Sequence, residues 1–427
     1  MNYNVIMFLV YLAGGLVRGT TVNNLTSVTI QMYSNLTTHF DTQGQIMAFL
    51  CTCIMFGSML GTFTATPIII KLGRKITIQI MALIAFISNV ACMIPFHWMY
   101  ILALKVLIGL SSSIIMTVVP MLFSEFVAPN LRGVFGSLMN LFIVFGIMLT
   151  AIIQYFISQS DKLFYIAFVP SAVSAVVLLI LSVWVKESSN SNLVVTEKQI
   201  VESIFARKYR KCLFVALTLG TSQAGSGMNA IVQYASLSFA NSFNSPQSGT
   251  IGFIIVTAAN TIAGSIAIPF IRRISRRKLF FSSLAGCMTC LLAQIILILV
   301  KFDQQIIDSI KLVFTIAFLV FFQFGIGPLF LAMLSEVFPL EVKTKLMNFG
   351  MIMFWIALIT TTLLFPLIPR VFSFALFFVI DTVCFIVLFK YLPETTGKTL
   401  QEIRKIMVDE EPKVEIKPAA HAEAPLE

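Results

Sequence analysis

Apolar residues recur in continuous runs of about 20 positions, the length a helix needs to cross hydrocarbon, and short basic blocks separate the runs. Such runs do not alternate with period two, which excludes a transmembrane barrel. They also leave little polar surface for a soluble exterior. Of 427 residues, 58% are hydrophobic and 11% are charged, against about 25% charged in soluble domains. A soluble enzyme, a nucleic-acid-binding domain and a disordered chain are all excluded. The remaining solvent is a bilayer, and the expectation is an all-α membrane protein.

Twelve spans are predicted, at 5–30, 45–70, 76–95, 99–120, 133–157, 164–185, 212–240, 248–271, 279–301, 309–335, 347–368 and 372–391. The chain then divides into an N-terminal six-helix bundle (1–185), a linker (186–211), a C-terminal six-helix bundle (212–391) and a tail (392–427). The tail from Pro393 ends in EEPKVEIKPAAHAEAPLE, which lacks a core-forming pattern and is expected to be disordered. Most of the 29 basic residues fall in alternate loops, the linker and the tail. The positive-inside rule puts these segments, and both termini, in the cytosol. The start Met-Asn-Tyr-Asn has no basic region, so the first apolar run is expected to be a retained helix. Seven cysteines lie in or beside the spans, and the three histidines are scattered. No metal or cofactor is expected, and the cysteines are read as small packing residues.

An internal repeat supports the division. KLGRK follows the second span and ISRRK the eighth, with Arg74 and Arg276 separated by 202 residues. Glu125 and Glu336 close the fourth and tenth spans 211 apart, and Glu187 and Glu394 follow the sixth and twelfth 207 apart. Two pseudo-symmetric halves are a common transporter plan, with the solute held between them.

Polar side chains inside spans need partners or a hydrated cavity. The seventh span carries Ser222, Gln223, Ser226, Asn229 and Gln233. On a continuous helix these share one stripe, within about 120° of arc at 100° per residue. Amides donate and accept, so the stripe suits a neutral, hydroxyl-rich solute; interhelical bonding is the other reading. Asn140, Asn260 and Gln323 lie in further spans and could complete the cavity, while Phe322, Trp355 and Tyr234 could stack on a sugar ring. Lys105 is read as a structural partner of Glu125, and Arg18 and Asp381 stand isolated in the first and twelfth spans. With no acid in the first span, uncoupled transport is expected, although Asp381 keeps proton coupling open.

These motifs resemble those of the sugar-porter branch of the major facilitator superfamily, most of all the insect facilitated trehalose transporters and animal glucose facilitators. PETTGKTLQEI at 393–403 is similar to the signature after the last span, PMLFSEFVAPNLRG at 120–133 to the motif closing the fourth, and SGMNAIVQY at 226–234 to that of the seventh. The resemblance implies the major facilitator fold and a solute site at Gln223, Asn229, Asn140, Asn260, Gln323, Phe322 and Trp355. It also implies a cytosolic gate in which Glu125, Glu187, Glu336 and Glu394 pair with Arg74, Arg132, Arg276 and Lys343.

Several family positions differ here. Ala224 replaces a second glutamine, Phe330-Leu331 a proline-tryptophan pair, and Phe354 and Leu358 two polar residues. The leading expectation is facilitative transport of a neutral sugar at the cell membrane, with trehalose or glucose as solute. A proton-coupled symporter and a non-transporting sensor or interaction protein are the alternatives. The expected partners are a small neutral sugar or polyol and the lipid bilayer, with no nucleic acid or obligate protein. Asn35 heads a glycosylation sequon in the first external loop.

Overall fold

The computed structural model describes residues 3–22, 43–94, 98–126, 132–157, 164–185, 204–243, 246–300, 304–339, 342–394 and 400–408. Every regular element among them is helical. The first half holds α1 (Tyr3–Val22), α2 (Gln43–Leu72), α3 (Arg74–Ala91), α4 (Trp98–Phe126), α5 (Arg132–Ile157) and α6 (Val169–Val183). The second holds α7 (Arg210–Gly225), α8 (Met228–Phe243), α9 (Pro246–Arg273), α10 (Arg276–Leu299), α11 (Gln304–Phe324), α12 (Ile326–Glu336), α13 (Lys343–Leu367) and α14 (Arg370–Tyr391). A short α15 (Leu400–Met407) follows.

Ten stretches are long and apolar enough to cross a membrane, one of them running from α11 through α12, and Val5–Thr21 is a shorter apolar helix. With α7 and α8 as one broken crossing, the twelve spans are accounted for. Two spans are not single helices. The seventh breaks at Ser226-Gly227, where Gly227 adopts φ +79°. A Cβ there would lie 2.3 Å from the Phe377 ring, so both backbone and space demand glycine. The tenth breaks at Gly325, where a Cβ would meet the Leu279 carbonyl oxygen at 2.5 Å. Ser283 of α10 repairs that break. Its hydroxyl donates to the Phe321 carbonyl at 2.7 Å and accepts the Ile326 amide at 3.1 Å. Backbone groups freed inside a membrane need such replacement partners.

One apolar core joins α1–α6 through residues such as Tyr11, Ile78, Ile115 and Leu178. Another joins the helices after residue 204 through Leu219, Phe280, Phe322, Leu334 and Phe377. The packing pattern repeats. In the first half α1 lies on α5 and α6, α2 on α4, and α3 on α4 and α6. At the equivalent spans of the second, α7 lies on α13 and α14, α9 on α11, and α10 on α11 and α14. Across the seam, α2 packs on α13 and α5 on α9.

The repeat extends to a basic device. Lys75 donates to the Val183 carbonyl at 2.8 Å, at the end of α6. Arg277, 202 residues later, donates to the Phe389 carbonyl at 2.7 Å, near the end of α14. A cation meets the exposed carbonyls of a helix C-terminus in each half.

The tail adds a helix that lies outside the twelve expected spans. LQEIRKIM forms α15, with Ile403 and Met407 buried and Glu402, Arg404 and Lys405 exposed. The Cys212 thiol donates to the Met407 carbonyl at 3.5 Å, fixing this helix to the start of α7. The amphipathic pattern, not the proline and glycine before it, decides its structure. Residues 409–427, most of the linker and Asn35 lie outside the described residues.

Replacing Ser283 by alanine leaves the Phe321 carbonyl and Ile326 amide unsatisfied, at about 1–3 kcal/mol per buried group. The purified protein is expected to melt at a lower temperature, whereas Thr289→Ala, on an exposed face of the same helix, leaves the midpoint in place.

Candidate functional site

At the seam, three amides form a chain. Asn140 of α5 donates through Nδ2 to Gln323 Oε1 at 2.8 Å, and Gln323 Nε2 donates to Asn260 Oδ1 of α9 at 2.9 Å. The first bond crosses between the halves. Gln323 and Asn260 are each 1% exposed, and the Asn260 Nδ2 is buried without an acceptor among the described residues. Three sequence candidates thus meet at one place. The amide order fixes which end donates, and a spare donor remains at Asn260.

A second polar layer lies between α1, α2, α4 and α13. Trp355, midway along α13, donates its indole N–H to Thr62 Oγ1 at 3.0 Å, and Thr62 shares a 2.9 Å hydrogen bond with Ser113. Arg18 of α1 donates through Nη1 to Ser58 and Ser112 at 2.8 and 3.2 Å, and its guanidinium carbon lies 5.5 Å from the Trp355 ring centroid. The expectation of an isolated Arg18 is corrected. Short hydroxyl residues on otherwise apolar helices, at 58 and 62 on α2 and 111–113 on α4, were the available signal.

The seventh-span stripe is also corrected. The break at Ser226-Gly227 means that no single helical ladder runs through it. Its members nonetheless turn inward. Ser222 and Ser226 are 0% exposed and Gln233 is 8% exposed; Gln223 and Asn229 are half-buried. Ser222 spends its hydroxyl on the Leu219 carbonyl. Gln223 Oε1, Ser226 Oγ and Gln233 Oε1 are buried without a hydrogen-bond partner among the described residues. Such atoms are costly in packing alone and suited to a polar guest.

The aromatic candidates divide. Trp355 faces the seam. Tyr234 donates to the Thr362 carbonyl at 3.4 Å, packs on Phe365 at 5.5 Å and lies against Cys51 of α2. Phe322 is 2% exposed and stacked with Phe318 in the second core.

Of the gate candidates, Arg276 pairs with Glu336, and Glu394 lies within electrostatic range of the same guanidinium. All three belong to the second half. Arg74 is 5% exposed at the start of α3. Lys343 opens α13, and burial pulls its ammonium below the usual lysine range. Glu125 and Arg132 sit at the ends of α4 and α5, but their side chains, like Glu187 altogether, lie outside the described residues. The proposed Lys105–Glu125 partnership fails. Both residues lie on α4, 20 positions and so about 30 Å apart, and Lys105 is buried near Cys51, Cys53 and Cys92. Asp381 is 0% exposed with neither oxygen hydrogen-bonded among the described residues, close to Cys287 and Cys384.

The pattern that defines the sugar (and other) transporter family matches residues 10–199 and again 189–407. The chain belongs to that family. This sugar-porter chain is 23% identical to the glucose transporter GlcP of Staphylococcus epidermidis, over 93% of its length and 96% of that protein's. It is 25% identical to the mouse facilitated glucose transporter member 3, over 85% and 83%. The inward-open xylose transporter XylE from E. coli superposes with a TM-score of 0.77 at 18% identity, covering 94% of this chain and 99% of that one. The protein is therefore a multi-pass membrane transporter with the major facilitator fold, and its relatives are carriers rather than enzymes.

Gln323→Leu would strip a partner from both Asn140 and Asn260. Its melting temperature is expected to fall by more than that of Glu336→Gln, whose partly exposed pair with Arg276 is worth about 0–1 kcal/mol; thermal unfolding of the two purified variants makes the comparison.

Proposed function

We propose that this sugar porter carries a hydroxyl-rich sugar down its gradient across the cell membrane, with trehalose or glucose as the first candidates, and does so without a coupled ion. The observation that carries the reading is the amide chain Asn140–Gln323–Asn260, which links the halves while leaving a buried donor at Asn260. Around it, Gln223, Asn229 and Trp355 supply further polar edges on the same proposed path. A sugar hydroxyl both donates and accepts, so it can replace an amide at either end of such a chain without leaving a group unpaired. Tyr234, packed between Phe365 and Cys51 of α2, and Phe322, packed within the second half, shape the walls rather than stack on the sugar.

In this reading the two halves, 1–185 and 212–391, are the bodies that rock, and both termini face the cytosol. The rim residues Arg74, Arg132, Glu125, Glu187, Arg276, Glu336, Lys343 and Glu394 hold the inner side closed. Exposed ion pairs are weak enough to open in each cycle. Asn35 is the proposed glycosylation site on the outside.

Proton coupling is the second reading, and Asp381 is the residue that favours it. A carboxyl buried inside a membrane span with no bonded partner among the described residues is a place to carry a proton. Uptake into vesicles separates the two. Labelled trehalose or glucose is expected to enter saturably at a rate indifferent to an imposed pH gradient, and Gln223→Ala is expected to raise KM about tenfold, the equivalent of about 1.4 kcal/mol. Stimulation by an acid-outside gradient that disappears in Asp381→Asn would replace uncoupled transport by symport. No saturable uptake of any sugar would leave the non-transporting reading, a sensor or interaction protein.

A further inference from the structure

Arg18 carries a permanent charge to the seam, and no carboxylate among the described residues pairs with it. Its side chain is 8% exposed. Two serine hydroxyls, Ser58 and Ser112, accept from Nη1, and the Trp355 ring from the other half covers the guanidinium. None of these groups is an anion. Residues 1–157 contain two acids, Asp41 and Glu125. Glu125 is 13 residues along α4 from Ser112, about 20 Å at 1.5 Å per residue. Asp41 lies outside the described residues. In the second half Asp308 is bonded to Lys311 and Glu336 to Arg276. Asp381 makes no hydrogen bond among the described residues, and its neighbours are Cys287 and Cys384.

The chemistry left open on Arg18 is specific. Both of its side-chain bonds to serine leave from Nη1. The Nε–Nη2 edge is uncommitted among the described residues, and that edge presents two parallel N–H groups matching the two oxygens of a carboxylate. One fixed positive charge balances one negative charge. A phosphate ester carries nearly two and would call for a second cation. The nearest other base on these helices, Lys105, is 0% exposed among thiols.

We propose that the solute site takes sugar acids, hydroxylated rings bearing one carboxylate, in preference to the parent neutral sugars, with Arg18 as the residue that pairs with the carboxylate. This rests on the sugar-transport reading above and narrows its substrate class. The amides hold the ring hydroxyls, and the guanidinium selects the acid. Ser58, Ser112 and Trp355 position that guanidinium.

The chain contains three tryptophans, Trp98, Trp184 and Trp355. In full-length protein carrying Trp98→Phe and Trp184→Phe, Trp355 alone reports binding beside Arg18. D-glucuronate against D-glucose, and D-galacturonate against D-galactose, are titrated into this protein. The acid of at least one pair is expected to bind at least tenfold more tightly than its parent. Arg18→Gln is expected to bring that ratio to one or below. Arg18→Lys, which keeps the charge and loses the fork, is expected to lower it at least threefold and decides the matter should the glutamine variant fail to fold. Acids that bind no tighter than their parents, or a preference that survives both substitutions, would overturn the assignment. Binding of a neutral sugar without an acid preference removes this inference alone; binding of no sugar at all removes the transport reading with it.

Discussion

Hydrocarbon offers a polar side chain no partner, so every amide, hydroxyl and charge in a span must be answered from within the protein or from a solute. Much of the arrangement described above follows from this. Serine and threonine hydroxyls on lone spans bond back to their own helix, as Thr20, Thr257 and Thr382 do. Several groups that cannot do so gather where the halves meet. Asn140, Gln323 and Asn260 answer one another there, as do Trp355, Thr62 and Ser113. The seam is therefore polar by necessity, and its leftover donors and acceptors are what a solute would engage.

The spans were legible because their signal is long and additive. An apolar run of helical length needs no knowledge of its neighbours, and α5, α9 and α14 begin and end within about two residues of expectation, the usual uncertainty of a helix end. The breaks in the seventh and tenth spans were not legible. Gly227 and Gly325 look like any of the 22 glycines, and their meaning comes from Phe377 and Ser283, which are distant in sequence. The helix at 400–407 was missed for another reason. Turn-forming residues before it drew attention from an eight-residue pattern too short to stand without the core it docks on.

Site residues were legible by type and less so by role. Amides in spans are rare enough to be noticed, and three of them do meet. Their order in the chain of bonds, and the removal of Tyr234 and Phe322 into packing, depend on tertiary contacts that no spacing encodes. Arg18 was conspicuous, but its partners were ordinary serines on two other helices. Conversely, the loop motifs drew attention to Arg74 and Arg276, while the residues that follow them, Lys75 and Arg277, clamp the ends of α6 and α14.

Among the described residues, both interrupted crossings belong to the second half. The counterpart of the tenth span, α4, runs as a single helix through 29 residues. A bundle with joints at Gly227 and Gly325 is mechanically softer than one of unjointed rods. Force passed between the tenth span and α4 will then be absorbed as bending at Gly325, so this pair of crossings works less like matched jaws than like a jointed finger closing on a stiff post.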